Sequence, residues 1–182
     1  MSAPFVRLDP AAPVYVDRVP SPIGDVLLTG SDDALTGLYM LGAPCGRPPA
    51  TPPGARHEPG AFVSVTAQLR AYFAGERHDF DVPLCPVGSP FQLEVWAALT
   101  RIRYGTTTSY GAIAGRLGKS PAASRAVGAA NGQNPIAVII PCHRVIGADG
   151  GLTGYGGGLD RKELLLRLEG ATAMAALDAT LW

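Results

Sequence analysis

Cysteine is scarce in this chain. Three among 182 residues, Cys45, Cys85 and Cys142, stand far apart, an odd number with no CxxC pair. That argues against a disulfide framework and a zinc cluster, and predicts free thiols and no bound metal. Long apolar runs are missing too: nothing approaches the roughly 20 residues that cross a bilayer, and Met1-Ser2-Ala3-Pro4 lacks the basic-then-apolar order of a secretory leader. The expectation is a soluble cytoplasmic protein with no membrane partner. Phosphate-cradling glycine patterns are also lacking, since Gly150-Gly151-Leu152-Thr153-Gly154-Tyr155-Gly156-Gly157-Gly158 matches neither GxxxxGK[ST] nor GxGxxG opening a helix. No cofactor is expected. Charge is only 16% of the chain, too low and too mixed for a disordered protein, while 47% hydrophobic content supplies one or two ordinary cores.

Acid is absent from one long stretch. The whole chain balances at 15 basic against 15 acidic residues, yet residues 1–89 carry six Lys/Arg and nine Asp/Glu. From Thr100 to Ala148 stand Arg101, Arg103, Arg116, Lys119, Arg125 and Arg144 with no Asp or Glu among them. Such an asymmetry suits a polyanionic partner.

The first half opens with strand-like segments, Val14–Val16, Val26–Thr29 and Leu35–Met40, separated by the turn residues Ser31-Asp32-Asp33. A small antiparallel sheet is predicted. From Gly42 to Gly60 proline and glycine dominate, so neither a helix nor a central strand can run through, and a mobile surface loop is expected. Phe62, Val65, Leu69, Tyr72 and Phe73 then recur at helical spacing up to Gly75, and Phe80-Asp81-Val82 reads as a further strand.

Cys85-Pro86-Val87-Gly88-Ser89-Pro90 reads as a linker whose Ser89 caps a new helix with proline at its first position. Phe91, Val95, Trp96, Leu99 and Ile102 form one apolar stripe closed by Tyr104-Gly105. Tyr110–Leu117, the break Gly118-Lys119-Ser120-Pro121 and Ala122–Ala130 then follow at helix-turn-helix spacing. The small residues of the last segment suit close approach to DNA and equally suit tight helix packing; the missing acids tilt the reading toward DNA. The Ala-rich tail from Ala171 has no readable role.

Cys142 follows the apolar run Ile136–Ile140 and Pro141, which sets the thiol at a chain turn. A lone cysteine is commonly a small buried hydrophobe. A basic neighbour or helix N-terminus favours the reactive thiolate, and His143 and Arg144 are adjacent in sequence. His143 could take the thiol proton if a third group fixed its tautomer. A final helix runs from Asp160 to Glu169, with Asp160 and Glu163 at capping-box spacing. Glu169 at its C-terminus opposes the helix dipole, so it either points into water or has a positive or proton-donating partner. The glycine-rich stretch around Tyr155 fits close backbone approach to a flat ligand with the ring as a stacking surface, and fits a plain loop as well.

Pro141-Cys142-His143-Arg144-Val145, preceded by Asn134-Pro135 and followed by Gly154-Tyr155-Gly156-Gly157, resembles the O6-alkylguanine-DNA alkyltransferases, the methylated-DNA–protein-cysteine methyltransferases. The likeness runs from Ser89 to Glu169 almost without gaps and includes Val95-Trp96, Ser109-Tyr110 and Arg125-Ala126-Val127-Gly128. Over residues 14–85 it rests on Ser21-Pro22-Ile23-Gly24 and Tyr72-Phe73-Ala74-Gly75. It implies an α+β protein: an N-terminal ribonuclease-H-like α/β domain over residues 1–88, with the Pro-rich loop 42–60, and a mostly helical winged helix-turn-helix domain over residues 89–182.

The resemblance also assigns roles. Cys142 is the implied alkyl acceptor, His143 the group that removes its proton through a water, and Glu169 the carboxylate that orients His143. Asn134 ties the turns around the cysteine. Tyr110 crowds the target phosphate and assists departure of guanine, and Arg125 fills the gap left by the flipped base, with Ser120 and Ala123 on the same DNA-facing surface. Tyr155, Gly156 and Val145 line the substrate pocket. The implied partner is double-stranded DNA bearing O6-alkylguanine, held through the minor groove by a protein monomeric off DNA, with O4-alkylthymine and clustering on DNA left open. Some members hold zinc in the N-terminal domain, but the corresponding positions here do not read as Cys or His.

Such a protein flips the damaged nucleotide, a step costing a few kcal/mol of unstacking, and displaces guanine with the thiolate. The thioether formed has no good leaving group, so each molecule works once. The alternative from another class is a non-catalytic DNA-binding or lesion-sensing module; lesion sensors of this kind lack the acceptor cysteine that stands here at Cys142. A Cys-His hydrolase lacks a recognisable oxyanion motif.

Overall fold

The structure, a computed structural model, describes residues 4–43 and 51–171. Cys45, Pro48-Pro49 and the tail beyond Ala171 lie outside the described residues. Strands β1 (Tyr15–Val19), β2 (Val26–Gly30) and β3 (Leu35–Met40) form the expected antiparallel meander, with Val16 opposite Thr29 and Leu28 opposite Leu38. Val26, Leu28, Leu35 and Leu38 are buried, as the pleat requires of one covered face.

The Pro/Gly-rich region is more ordered at its end than the sequence reading expected. Arg56–His57 forms a short strand, β4, parallel to β1 at the sheet edge, because these residues retain N–H groups: those of Arg56 and Glu58 donate to Val14 and Val16 at 2.9 and 3.2 Å. A 3-10 turn at Pro59–Phe62 leads into α1 (Val63–Phe73), which sends Val65, Leu69 and Tyr72 into the core and stops where Gly75 takes φ +74°.

Phe80–Val82, expected as a strand, is irregular. The Gln68 side chain occupies both backbone groups of Asp81, accepting from its N–H at 2.8 Å and donating to its carbonyl at 2.9 Å. Only Leu84 bridges to Leu35, between Pro83 and Pro86, which have no N–H to extend a ladder.

Ser89 caps α2 (Pro90–Leu99) with Gln92 in a reciprocal capping box. The helix ends at Leu99, earlier than the apolar stripe suggests, because Arg101 and Ile102 turn to tighter bonds on Ala98 and Leu99. After the two-residue strand β5 (Thr108–Ser109), Ser109 caps α3 (Tyr110–Arg116) through the Ala112 N–H at 3.1 Å. The break expected at Gly118–Pro121 and a 3-10 turn at Pro121–Ala123 then lead to α4 (Ser124–Gly132), and Trp96 Nε1 ties α2 to it through the Ala130 carbonyl at 2.9 Å.

Ile136–Ile140 folds as a compact turn in which Val138 takes φ +70°, strained backbone for a β-branched residue. The turn is anchored on β3: Leu38 N–H donates to Pro135 at 2.9 Å and Ala137 N–H to Leu38 at 3.1 Å. Cys142–Arg144 forms a 3-10 turn, followed by β6 (Val145–Ile146) parallel to β5.

The last helix, α5 (Leu159–Leu168), is capped at Gly158, without the capping box expected of Asp160 and Glu163. That start places Asp160 inside the first turn, and Glu163 pairs instead with Arg167 one turn on at 2.9 Å. One continuous buried core runs from Val19 through Tyr72 and Trp96 to Leu165, joining the two halves of the chain. No helix among the described residues is long and apolar enough to cross a membrane.

Candidate active site

Cys142 opens its 3-10 turn directly after Pro141 and is 5% exposed. Asn134 holds it from the side. The Asn134 amide nitrogen donates to Cys142 Sγ at 3.0 Å and to the Ile140 carbonyl at 2.8 Å, while its oxygen accepts from the Ile136 N–H at 3.0 Å. One side chain thus ties the strained turn to the thiol. From α4, Asn131 donates to the Cys142 carbonyl at 3.3 Å.

Burial pushes the Cys142 thiol up, and the Asn134 amide, the Lys162 charge and local backbone N–H groups pull it back only in part. The neighbours suggested by sequence do not supply that pull: the Arg144 and His143 side chains both turn away, toward Glu169. Arg144 grips the carboxylate in a fork, Nε on Oε2 at 2.8 Å and Nη2 on Oε1 at 2.9 Å, and its Nη1 donates to the Ile102 carbonyl at 2.6 Å.

His143 is fully buried, and its Nε2 lies 2.8 Å from Glu169 Oε1. Burial alone would raise the Glu169 pKa, but hydrogen bonds and charge from His143 and Arg144 bring it down to about 2. An ionised carboxylate only accepts, so Nε2 carries the proton and Nδ1 the lone pair. Burial also lowers the His143 pKa against the opposing pull of Glu169, which makes the ring neutral at neutral pH. Nδ1 has no hydrogen-bond partner among the described residues. Glu169 also accepts from Tyr72 OH at 2.7 Å and from the Gly105 N–H at 3.3 Å. Gly105 sits at φ +70°, and a Cβ there would stand 2.9 Å from the Glu169 carbonyl oxygen, so glycine is needed for that approach.

The sequence reading missed Lys162. It is fully buried on α5, donates to the Val145 and Thr153 carbonyls at 2.6 and 2.7 Å, and its charge acts on the thiol. Burial lowers its pKa to about 8. A signal was available: Lys162, Leu165, Leu166 and Glu169 fall at i, i+3, i+4 and i+7, so two charges lie on the apolar stripe. The pairing of Arg144 with Glu169 and the hydroxyl of Tyr72 were missed as well, the latter readable as an aromatic hydroxyl on a buried stripe that needs a partner.

The other expected residues surround the thiol at different depths. Tyr155 is buried, and burial first and the Cys142 charge second push its hydroxyl pKa well above the ordinary value. Val145 is fully buried and Gly156 half-buried. Tyr110, at the start of α3, donates to the Thr153 and Gly154 carbonyls at 3.2 and 3.4 Å. Arg125 and Ser120 are exposed and Ala123 half-buried, outside the contacts around the thiol. Arg101, Arg103, Arg116 and Arg125 are exposed and make no salt bridge among the described residues, whereas Lys119 reaches Glu94 at 3.6 Å. Among the described residues no group of three or more His, Cys, Asp or Glu is placed to hold a metal ion.

Residues 14–86 match the family model for the ribonuclease-like domain of 6-O-methylguanine DNA methyltransferase, and residues 90–171 match the model for its DNA-binding domain. The chain belongs to the 6-O-methylguanine DNA methyltransferase family. It is 51% identical to the methylated-DNA–protein-cysteine methyltransferase of Mycobacterium bovis over 167 residues, 90% of this chain and 97% of that relative. It is 52% identical to the Methanosarcina acetivorans protein of the same name, over 87% of this chain and 99% of that one. Among solved structures it resembles the Mycobacterium tuberculosis O6-methylguanine methyltransferase, with TM-score 0.79 and 51% identity over 86% of this chain and 93% of that one. It also resembles the Mycobacterium tuberculosis OGT solved in complex with DNA, with TM-score 0.79, 51% identity and cover of 86% and 92%. The two family models fit the expected class, a ribonuclease-like half followed by a DNA-binding half, and methyltransferases as close as these do not favour the non-catalytic alternative.

Proposed function

We propose that the chain repairs DNA by direct reversal, moving a methyl or other alkyl group from O6 of guanine onto Cys142, irreversibly and once per molecule. The observation that carries this reading is a pair of contacts on successive residues: the Cys142 thiol held by the Asn134 amide, and the buried, neutral His143 imidazole pinned by Glu169 through Nε2 with Nδ1 free to accept. The thiol proton passes to Nδ1 through a water. Cys142 Sγ attacks the alkyl carbon, the C–S bond forms as C–O6 breaks, and the electron pair stays with the guanine, which takes up one proton, balancing the one that the thiol gave to His143 and that the imidazolium returns through water. Because burial keeps the thiol protonated, the thiolate is made during attack, its charge met by the Asn134 amide and by Lys162.

O6 is buried in stacked duplex, so the nucleotide must be flipped, at a few kcal/mol. Arg125 fills the space left behind and Tyr110 crowds the neighbouring phosphate, with Ser120 and Ala123 against the backbone. Tyr155, Gly156 and Val145 form the pocket for the extruded base, and Lys162 fixes two carbonyls of its wall. The small residues of α4 and the exposed Arg101, Arg103, Arg116 and Arg125 suit minor-groove contact with little base readout. The reading includes a cytoplasmic monomer off DNA.

Duplex DNA carrying a radiolabelled methyl group on guanine O6 tests it. Label should move to the protein in at most stoichiometric amount, and Cys142→Ser should bind without accepting it. Tight binding with the DNA unchanged contradicts the reading.

A further inference from the structure

The Glu169 carboxylate is gripped from both halves of the chain. Arg144, His143 and Gly105 reach it from the second half. Tyr72 reaches it from α1, 97 residues earlier in sequence, and its hydroxyl lies 2.7 Å from Oε1, the same oxygen that accepts from His143 Nε2. The ring cannot swing away: it is fully buried, with the Phe73 and Phe80 centroids each at 5.3 Å and the Tyr104 centroid at 6.1 Å. A buried tyrosine hydroxyl needs a partner, but a backbone carbonyl suffices, as the Leu168 carbonyl does for Tyr104 at 3.0 Å. Tyr72 instead takes the oxygen on which the imidazole depends.

We propose that Tyr72 is a positioning residue for alkyl transfer, through which the N-terminal half sets how strongly Glu169 holds the imidazole proton of His143. This rests on the reading of His143 as the group that accepts the thiol proton. Hydrogen bonds to one oxygen compete for its electron density, so donation from Tyr72 weakens the pull of Oε1 on Nε2–H. The charged groups facing His143 are Lys162 from α5, Glu169 just after that helix, and Arg144 from its own turn. Those facing Tyr72 are Glu169, Arg144 and the Tyr104 phenol. Both cations favour the neutral ring, and Tyr72 acts with them by engaging the carboxylate that favours the imidazolium. The hydroxyl itself stays protonated, because burial and the Glu169 charge raise its pKa.

Tyr72→Phe in the full chain removes the hydroxyl and keeps the ring. The imidazolium then gains stability, so the acid limb of the rate profile moves to higher pH, and transfer slows about threefold on that limb, the size of a half-unit rise in imidazole pKa. A purely packing role leaves the limb in place. The His143 imidazole is titrated by NMR in parent and variant, a reading that needs no alkyl transfer. A higher His143 pKa in the variant supports the proposal, and an unchanged one overturns it even if transfer is fast. If the parent transfers nothing, the functional reading fails while the titration still decides this one. Should Tyr72→Phe not fold, 3-fluorotyrosine at the same position, a stronger donor, must lower the His143 pKa, and no change overturns the proposal.

Discussion

Glu169 Oε1 stands 2.8 Å from His143 Nε2, with neither side chain reaching solvent. This contact, closed by the Arg144 fork on the same carboxylate, decides which imidazole nitrogen is basic. It also makes Glu169 a structural partner as much as a chemical one. Glu169→Gln therefore leaves the Arg144 charge buried and uncompensated, which costs about 3–5 kcal/mol in urea denaturation as well as slowing transfer. Unchanged stability would mean that the carboxylate is not the counter-charge of Arg144.

Acid should act through the same group. The Glu169 pKa is lowered from 4.5 to about 2, so its contribution to stability is fully present above the unfolded value and is lost as pH falls through that window. The size is about 3 kcal/mol. Denaturation midpoints measured between pH 5 and pH 2 should fall more steeply for the parent than for Glu169→Gln.

Much of this was legible in the sequence, for identifiable reasons. The β1–β3 meander and the helix-turn-helix follow from alternation, the Ser89 and Ser109 caps and the Gly118–Pro121 break, all local signals. Family resemblance grouped Cys142 with Asn134, His143 and Glu169, and the structure places Asn134 on the thiol and Glu169 on His143; adjacency in sequence could not show that the Arg144 side chain turns to Glu169. What stayed hidden depends on distant segments meeting: Tyr72 on Glu169, and the Gln68 side chain that silences the expected strand at Phe80–Val82. Lys162 stands on the apolar stripe of α5, but a lysine is so seldom fully buried that its phase alone does not mark it as a core residue.

Lys162→Met removes the cation that acts on the thiol. The Cys142 pKa, already raised by burial, should rise further, because a positive neighbour favours thiolate. The pH profile of Cys142 modification by a small alkylating reagent is the check. It should shift to higher pH, with transfer from DNA slowed at pH 7; a shift to lower pH would reverse the assigned sign.

Arg125 is exposed on α4 and makes no salt bridge among the described residues. Arg125→Ala should change folding stability by no more than about 0.5 kcal/mol, as surface substitutions do. It should slow transfer from duplex DNA while leaving transfer from the free base O6-methylguanine unaffected. Equal slowing of both substrates would place Arg125 in the chemistry and not in base extrusion.

The acceptor assignment is tested most directly by peptide mass mapping after reaction with methylated duplex. Cys142 and the half-buried Cys85 are both free thiols. One methyl group on the Cys142 peptide, none on the Cys85 peptide, and no second turnover with fresh DNA is the predicted result. Methyl on another residue, or continued turnover, would contradict it.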